Sequence, residues 1–88
     1  MISKELEVLN RAGIHARPAA EISKRASAFS CDIFFERDSM KINAKSIMGV
    51  ITLGATYRTK LTCICSGDDE KEAMKAMEDL FASRFEEK

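Results

Sequence analysis

His15 is the only histidine of the chain, and it is followed closely by Arg17 and by the only proline, Pro18. A neutral imidazole is a competent nucleophile near pH 7, and nearby positive charge resists protonation of the ring. Pro18 suits the first turn of a helix, whose unpaired N–H groups and positive dipole end favour an anion. These features make His15 a candidate acceptor for a phosphoryl group, which the backbone N–H groups of Ala16 and Arg17 would contact and the Arg17 guanidinium would stabilise. A plain surface or capping role is the alternative that position alone leaves open.

Ser46, at the start of a short apolar stretch, is a second candidate site. Serine is a favourable N-cap residue, so a purely structural role is the simplest interpretation. A phosphate on Ser46 would add about −1.5 to −2 charges at a helix N-terminus, where an anion is stabilised, with Lys45 as a counter-charge. The charge would lie beside the apolar side chains of Ile47, Met48 and Ile51, so we expect modification to weaken the docking of some partners.

Apolar periodicity predicts the elements that position these two sites. Ile2, Leu6 and Val8 have the even spacing of a strand with one buried face. The predicted elements are, in chain order, strand 2–8, helix 17–28, strands 31–36 and 40–43 joined by a turn at 37–39, a short helix from Ser46 to Gly54, strand 61–65 and helix 69–84. The apolar stripe of the last helix consists of Met74, Met77, Phe81 and Phe85.

This order of short strands and helices favours an α+β fold. We predict a two-layer open-faced sandwich, in which a four-stranded antiparallel sheet carries three helices on one face in the order β-α-β-β-α-β-α. With 88 residues the chain has room for one domain, residues 1–88. Phe34 and Ile64 are expected on the open face of the sheet, where they would form a small apolar patch.

Composition limits the classes of partner and cofactor. Fourteen basic residues balance fourteen acidic ones, which gives no reason to expect nucleic acid or an anionic membrane surface as a partner. The sequence has no signal peptide and no apolar run near the roughly 18 residues of a membrane span, so we expect a cytoplasmic protein with reduced thiols. Cys31, Cys63 and Cys65 permit a three-thiolate metal site, but no fourth ligand is evident and buried packing is the better interpretation. We expect neither a metal nor another cofactor.

Two segments resemble one known family. Residues 13–19, Gly-Ile-His-Ala-Arg-Pro-Ala, are similar to the phosphorylation-site signature of HPr, the histidine-containing phosphocarrier of the bacterial sugar phosphotransferase system. Residues 43–50, Asn-Ala-Lys-Ser-Ile-Met-Gly-Val, resemble the regulatory serine segment of that family at the matching distance. The similarity extends over essentially the whole chain, including the Ser-Gly-Asp-Asp-Glu entry to the last helix at 66–70.

The resemblance implies a carrier that is not itself an enzyme. Enzyme I, charged from phosphoenolpyruvate, would phosphorylate His15 at Nδ1, and the resulting phosphohistidine would pass its phosphoryl group to the IIA domain of a sugar permease. An HPr kinase/phosphorylase would modify Ser46, slowing phosphorylation of His15 and signalling to a regulator of carbon catabolite control. We expect the protein to act as a monomer.

The expected docking surface lies on the first and the short helix. Its residues are Ala16, Arg17, Ala20, Lys24, Ile47, Met48 and Ile51. Apolar anchors within a basic rim suit a transient partner with an acidic face.

Two departures from the family pattern and two other functions bear on this interpretation. Ala12 stands where family members often have a small polar residue, so one hydrogen bond to the phosphoryl group is absent, and the loop 55–59 lacks the glycine common in the family.

One alternative is a regulatory protein of the same fold that signals through phosphorylated Ser46 or His15 without sugar transport. A nucleic-acid-binding sandwich that uses Phe34 and Ile64 is disfavoured by the neutral charge.

Overall fold

Four antiparallel strands form a sheet in the computed structural model, which describes residues 1–86. The elements are β1 (Ile2–Glu7), α1 (Ala16–Ser27), β2 (Asp32–Arg37), β3 (Met40–Asn43), α2 (Ile47–Thr52), β4 (Lys60–Ser66), α3 (Glu70–Ala82) and a short 3-10 segment (Arg84–Glu86). The strand order is β1-β4-β2-β3, so β1 and β3 are the sheet edges. The predicted α+β sandwich and its element order are confirmed.

The core lies between one face of this sheet and the three helices. Leu61, Cys63 and Cys65 alternate along the central strand β4 and are almost completely buried, as the period of a strand with one covered face requires. Ile22 of α1 and the stripe of α3 cover them from the helical layer. The predicted burial of the three cysteines is therefore confirmed. Within residues 1–86, no cluster of three His, Cys, Asp or Glu residues is arranged to hold a metal ion.

The open face carries the predicted apolar pair. Phe34 of β2 lies directly opposite Ile64 of β4, and both side chains are half-buried. The ammonium group of Lys41 lies 4.8 Å from the centroid of the Phe34 ring and covers part of the patch. No helix among the described residues has the length and apolarity needed to cross a bilayer.

The hairpin between β2 and β3 is tighter than predicted. Arg37, which the sequence placed in the turn, pairs with Met40, so that the connection is the two residues 38–39. Asp38 has φ +55°, the left-handed conformation that two-residue hairpin loops require. The Arg37 guanidinium donates hydrogen bonds to the carbonyl oxygens of Leu53 (2.8 Å) and Gly54 (3.0 Å) and thereby binds the end of α2.

The last helix is shorter than the predicted 69–84, because the chain leaves the helix after Ala82. Arg84 and Phe85 have φ values of +57° and +54°, and this left-handed pair turns the backbone back over the core. Phe85 is buried, with its ring centroid 5.1 Å from that of Phe81 in an edge-on arrangement. The apolar stripe was predicted correctly, but its last member belongs to the turn and not to the helix.

Asp69 precedes α3 at the N-cap position and makes no side-chain cap to that helix. Its carboxylate instead accepts hydrogen bonds from the backbone N–H groups of Ser30 and Cys31, both at 2.9 Å. These bonds, that of Ser30 foremost, lower the pKa of Asp69. The carboxylate thus ties the start of α3 to the connection between α1 and β2.

Candidate phosphoryl-transfer site

The first helix begins at Ala16, one residue before the predicted start at 17. His15 is therefore the N-cap residue of α1. Its backbone is extended (φ −104°, ψ −163°), and its carbonyl oxygen accepts the N–H of Ala19 at 2.9 Å. The imidazole is exposed and makes no capping hydrogen bond. Because Pro18 has no N–H, the first turn presents the N–H groups of Ala16 and Arg17, which have no carbonyl four residues earlier within the helix.

The loop before His15 is held by buried contacts. Gly13 has φ +77°, and a Cβ at this position would lie 2.9 Å from the carbonyl oxygen of Ala55. That same oxygen accepts the N–H of Ile14 at 2.9 Å. The side-chain amide of Asn10, which is buried, donates to the Gly13 carbonyl at 2.7 Å. A glycine is therefore required here, and the loop fixes the backbone from which the imidazole projects.

Arg17 has a partner that the sequence did not indicate. Its Nη2 donates a hydrogen bond of 3.1 Å to the carbonyl oxygen of Phe85, 68 positions later in the chain. The left-handed turn at the end of α3 brings this carbonyl to the start of α1. The structure thus places Arg17 in the same helical turn as His15, with one of its guanidinium nitrogens bound to the turn at residues 84–86.

Ser46 is the N-cap of α2, as predicted from its position before the apolar stretch. Its hydroxyl is exposed, and Oγ accepts the N–H of Gly49 at 3.1 Å. A Cβ at Gly49 would lie 3.3 Å from Ser46 Oγ, a tight contact that glycine avoids. Ser46 therefore has a structural bond at the same oxygen that a kinase would modify.

Lys45 does not lie free beside Ser46. Its ammonium group donates a 2.8 Å hydrogen bond to the carbonyl oxygen of Phe29, just beyond the end of α1. The Ser23 hydroxyl of α1 donates in turn to the Lys45 carbonyl oxygen at 2.7 Å. The expected counter-charge for a phosphate on Ser46 is thus already used to fasten α1 to the start of α2.

The seven residues of the expected docking surface are all exposed, and they lie on α1 and α2, which pack against each other. Met48 is 71% exposed, Ile47 44% and Ile51 37%, high values for apolar side chains. The side chains of Arg17 and Lys24 contribute the positive charge of this surface.

The loop without glycine adopts a conformation in which Arg58 has φ +71°. The Arg58 N–H donates to the Val8 carbonyl oxygen at 2.7 Å, and the Thr56 N–H donates to Thr59 Oγ1 at 3.1 Å. The guanidinium of Arg11 lies 5.7 Å from the centroid of the exposed Tyr57 ring. Arg58 therefore takes the left-handed conformation that a glycine would adopt without strain.

Comparison with known proteins agrees with the fold. The family described as "PTS HPr component phosphorylation site" matches residues 2–83. The phosphocarrier protein HPr of Treponema pallidum is 48% identical over 87 residues, covering 99% of each chain. The HPr-like protein Crh of Bacillus subtilis is 42% identical over 77 residues, covering 88% of this chain and 91% of Crh. A crystal structure of HPr-C-His from Thermoanaerobacter tengcongensis superposes with a TM-score of 0.95 at 45% identity, covering 100% of this chain and 99% of that one.

The open-faced sandwich and the family match over residues 2–83 define the class of small phosphotransferase-system proteins to which this chain is similar. The chain belongs to the HPr family of phosphocarrier proteins.

Proposed function

We propose that this protein accepts a phosphoryl group from enzyme I on His15 and passes it to the IIA domain of a sugar permease. The observation that carries the proposal is the free, exposed imidazole at the N-cap of α1, beside the N–H groups of Ala16 and Arg17. In each transfer, an imidazole nitrogen of the acceptor forms a bond to phosphorus as the bond to the donor nitrogen breaks. The donor keeps the electron pair of the broken bond. The phosphoryl oxygens gain donors from the first turn of the helix.

Arg17 stabilises the phosphoryl group in this proposal. Its guanidinium offers five N–H donors in a planar fork, and Nη2 is bound to the Phe85 carbonyl before transfer. A phosphoryl dianion is a stronger acceptor than a neutral carbonyl, so we expect Arg17 to exchange the Phe85 oxygen for a phosphoryl oxygen on phosphorylation. The turn at residues 84–86 would then lose one contact to α1.

Ser46 is the proposed regulatory site for an HPr kinase/phosphorylase. Its hydroxyl is exposed, and Ile47, Met48 and Ile51 stand beside it on α2. A phosphoryl group on Oγ would place about two negative charges next to this apolar surface, which enzyme I must desolvate when it docks. The modified protein would phosphorylate slowly at His15 and bind a regulator of carbon catabolite control.

The second candidate function is regulation without sugar transport, favoured by the similarity to Crh over 88% of this chain. In that case phosphorylation of Ser46 or His15 would control the activity of other proteins. For the phosphocarrier function we propose a cytoplasmic monomer, and size-exclusion chromatography with light scattering checks the oligomeric state.

The test is labelling with enzyme I and phosphoenolpyruvate, followed by addition of a IIA domain. We expect acid-labile phosphate on the wild type, none on His15→Ala, and loss of the label to the IIA domain. An unlabelled wild type, or equal labelling of His15→Ala, would contradict the proposal. Labelling without transfer to any IIA domain of the source organism would favour the regulatory function.

A further inference from the structure

The sulfur atoms of this chain divide sharply between buried and exposed environments. The three thiols, which are the usual targets of oxidants, lie in the core at 3% exposure or less. Burial, together with the neighbouring Asp69 carboxylate, raises the pKa of the Cys31 thiol to about 12, and burial raises the pKa of Cys63 and Cys65 as well. Since the thiolate is the reactive form, these cysteines resist oxidation in the folded protein.

The five methionines differ in the same way. Met74 and Met77 of α3 are buried, whereas Met1, Met48 and Met40 are 83%, 71% and 41% exposed. The amino group of Met1 lies 3.1 Å from Glu70 at the start of α3, and Met40 begins the edge strand β3. Met48 is therefore the exposed sulfur that lies on the proposed docking surface.

We propose that Met48 is an oxidation-sensitive modification site, and that its sulfoxide weakens the docking of phosphotransfer partners on α2. In this step the thioether sulfur attacks an oxygen atom of hydrogen peroxide, an S–O bond forms and the O–O bond breaks. The leaving hydroxide takes up the proton that the new S–OH group loses, which gives water and the sulfoxide. Sulfur loses two electrons to the peroxide, and a methionine sulfoxide reductase reverses the change with thiol electrons.

The position of Met48 explains why one oxygen atom added to its sulfur would weaken docking. Met48 is the second residue of α2, two positions after Ser46, and Ile47 and Ile51 of the same helix are also exposed. A thioether is soft and apolar, which suits a surface that must fit several partners. A sulfoxide is a strong hydrogen-bond acceptor, and a partner that covers it with apolar atoms leaves that acceptor unpaired. Oxidation would thus act on the same surface as a phosphate on Ser46.

This inference rests on the proposed function, since it assumes that enzyme I docks on α2. The experiment treats the folded wild type, Met48→Leu and Met40→Leu with hydrogen peroxide, removes the peroxide, and compares each protein with its own untreated sample. Peptide mass spectrometry follows oxidation at each methionine. Steady-state transfer from enzyme I then gives kcat and KM for each sample.

We expect Met48 to oxidise, Met74 and Met77 to stay reduced, and KM for the wild type and Met40→Leu to rise on the order of tenfold while kcat changes little. Met48→Leu should show no such rise, and methionine sulfoxide reductase should restore the wild type. An unchanged KM after oxidation of Met48, or an equal rise in Met48→Leu, would overturn the inference, as would a Met48 that oxidises no faster than Met74. If even untreated wild type accepts no phosphoryl group, the proposed function fails and the docking effect of the sulfoxide fails with it.

Discussion

At the start of α1, His15 occupies the N-cap position without a capping bond from its side chain, whereas at the start of α2 the Ser46 hydroxyl accepts the Gly49 N–H at 3.1 Å. The histidine contributes its backbone to the helix and leaves its ring nitrogens to solvent. The serine contributes its reactive oxygen to the helix itself. A group bonded to His15 would therefore leave the capping contacts of α1 in place, whereas a group bonded to Ser46 would be added to an atom that already stabilises α2.

The start of α3 extends this comparison. Asp69 is also an N-cap residue, and its carboxylate serves a distant segment, the N–H groups of Ser30 and Cys31. Among the described residues, three helix starts thus use their capping side chains for three purposes. These are exposure of a nucleophile, a local cap, and a link between elements.

The largest expected effect on the transfer rate comes from removing Arg17, the group proposed to stabilise the phosphoryl oxygens. Arg17→Ala should lower the rate of transfer from enzyme I by on the order of a hundredfold, because a positive donor next to the developing charge is lost. Arg25→Ala is the matched control, since Arg25 is an exposed arginine in the last turn of the same helix. Rapid-quench kinetics measures both. Equal losses in the two variants would mean that only the net charge of α1 matters.

A smaller effect is expected from a charge at the second helix start. Ser46→Asp should lower the rate of transfer from enzyme I by roughly tenfold, because it puts a carboxylate beside the apolar surface of α2. Aspartate is itself a good N-cap, so α2 should persist, as circular dichroism can check. Ser39→Asp adds the same charge in the exposed hairpin turn and should leave the rate unchanged. A normal rate for Ser46→Asp would count against the regulatory role of Ser46.

The same comparison predicts that two alanine variants lose different amounts of stability. Ser46→Ala should lower the free energy of unfolding by about 1 kcal/mol, because the Gly49 N–H loses its partner. His15→Ala should change it by less than about 0.5 kcal/mol, because the exposed ring caps nothing. Urea unfolding followed by circular dichroism measures both. A larger loss in His15→Ala would show that the imidazole does stabilise α1.

These differences define what sequence can and cannot reveal here. Periodicity and capping residues located the four strands and α1, α2 and α3, but not the short 3-10 segment Arg84–Glu86, and the Ser46 cap follows from the residue type. The bond from Arg17 to Phe85 joins residues 68 positions apart through a left-handed turn, and no local pattern encodes it. The same holds for the Lys45 ammonium, which a sequence places beside Ser46 but the fold directs to the Phe29 carbonyl.

The smallest expected effect is the pH dependence conferred by Asp69. Its pKa is lowered in the folded protein, so its contribution to stability is present above its unfolded pKa of about 4 and is lost as the pH falls through the folded value. The melting temperature of the wild type should therefore fall more steeply below about pH 4 than that of Asp69→Asn. Asp68→Asn, which changes the exposed neighbour, is the control. If the melting temperatures of the wild type and Asp69→Asn fall in parallel with pH, Asp69 does not confer this pH dependence.

The central claim of the proposed function is that the phosphoryl group bonds to the imidazole of His15. NMR spectra of ¹⁵N-labelled protein, recorded while enzyme I and phosphoenolpyruvate are added, report the imidazole nitrogens and the backbone amides together. We predict that the His15 Nδ1 signal shifts on bonding to phosphorus, and that the amides of Ala16 and Arg17 shift most among the backbone signals. An unshifted His15 ring, or phosphorylation that leaves these two amides in place and moves those of another segment, would contradict the account.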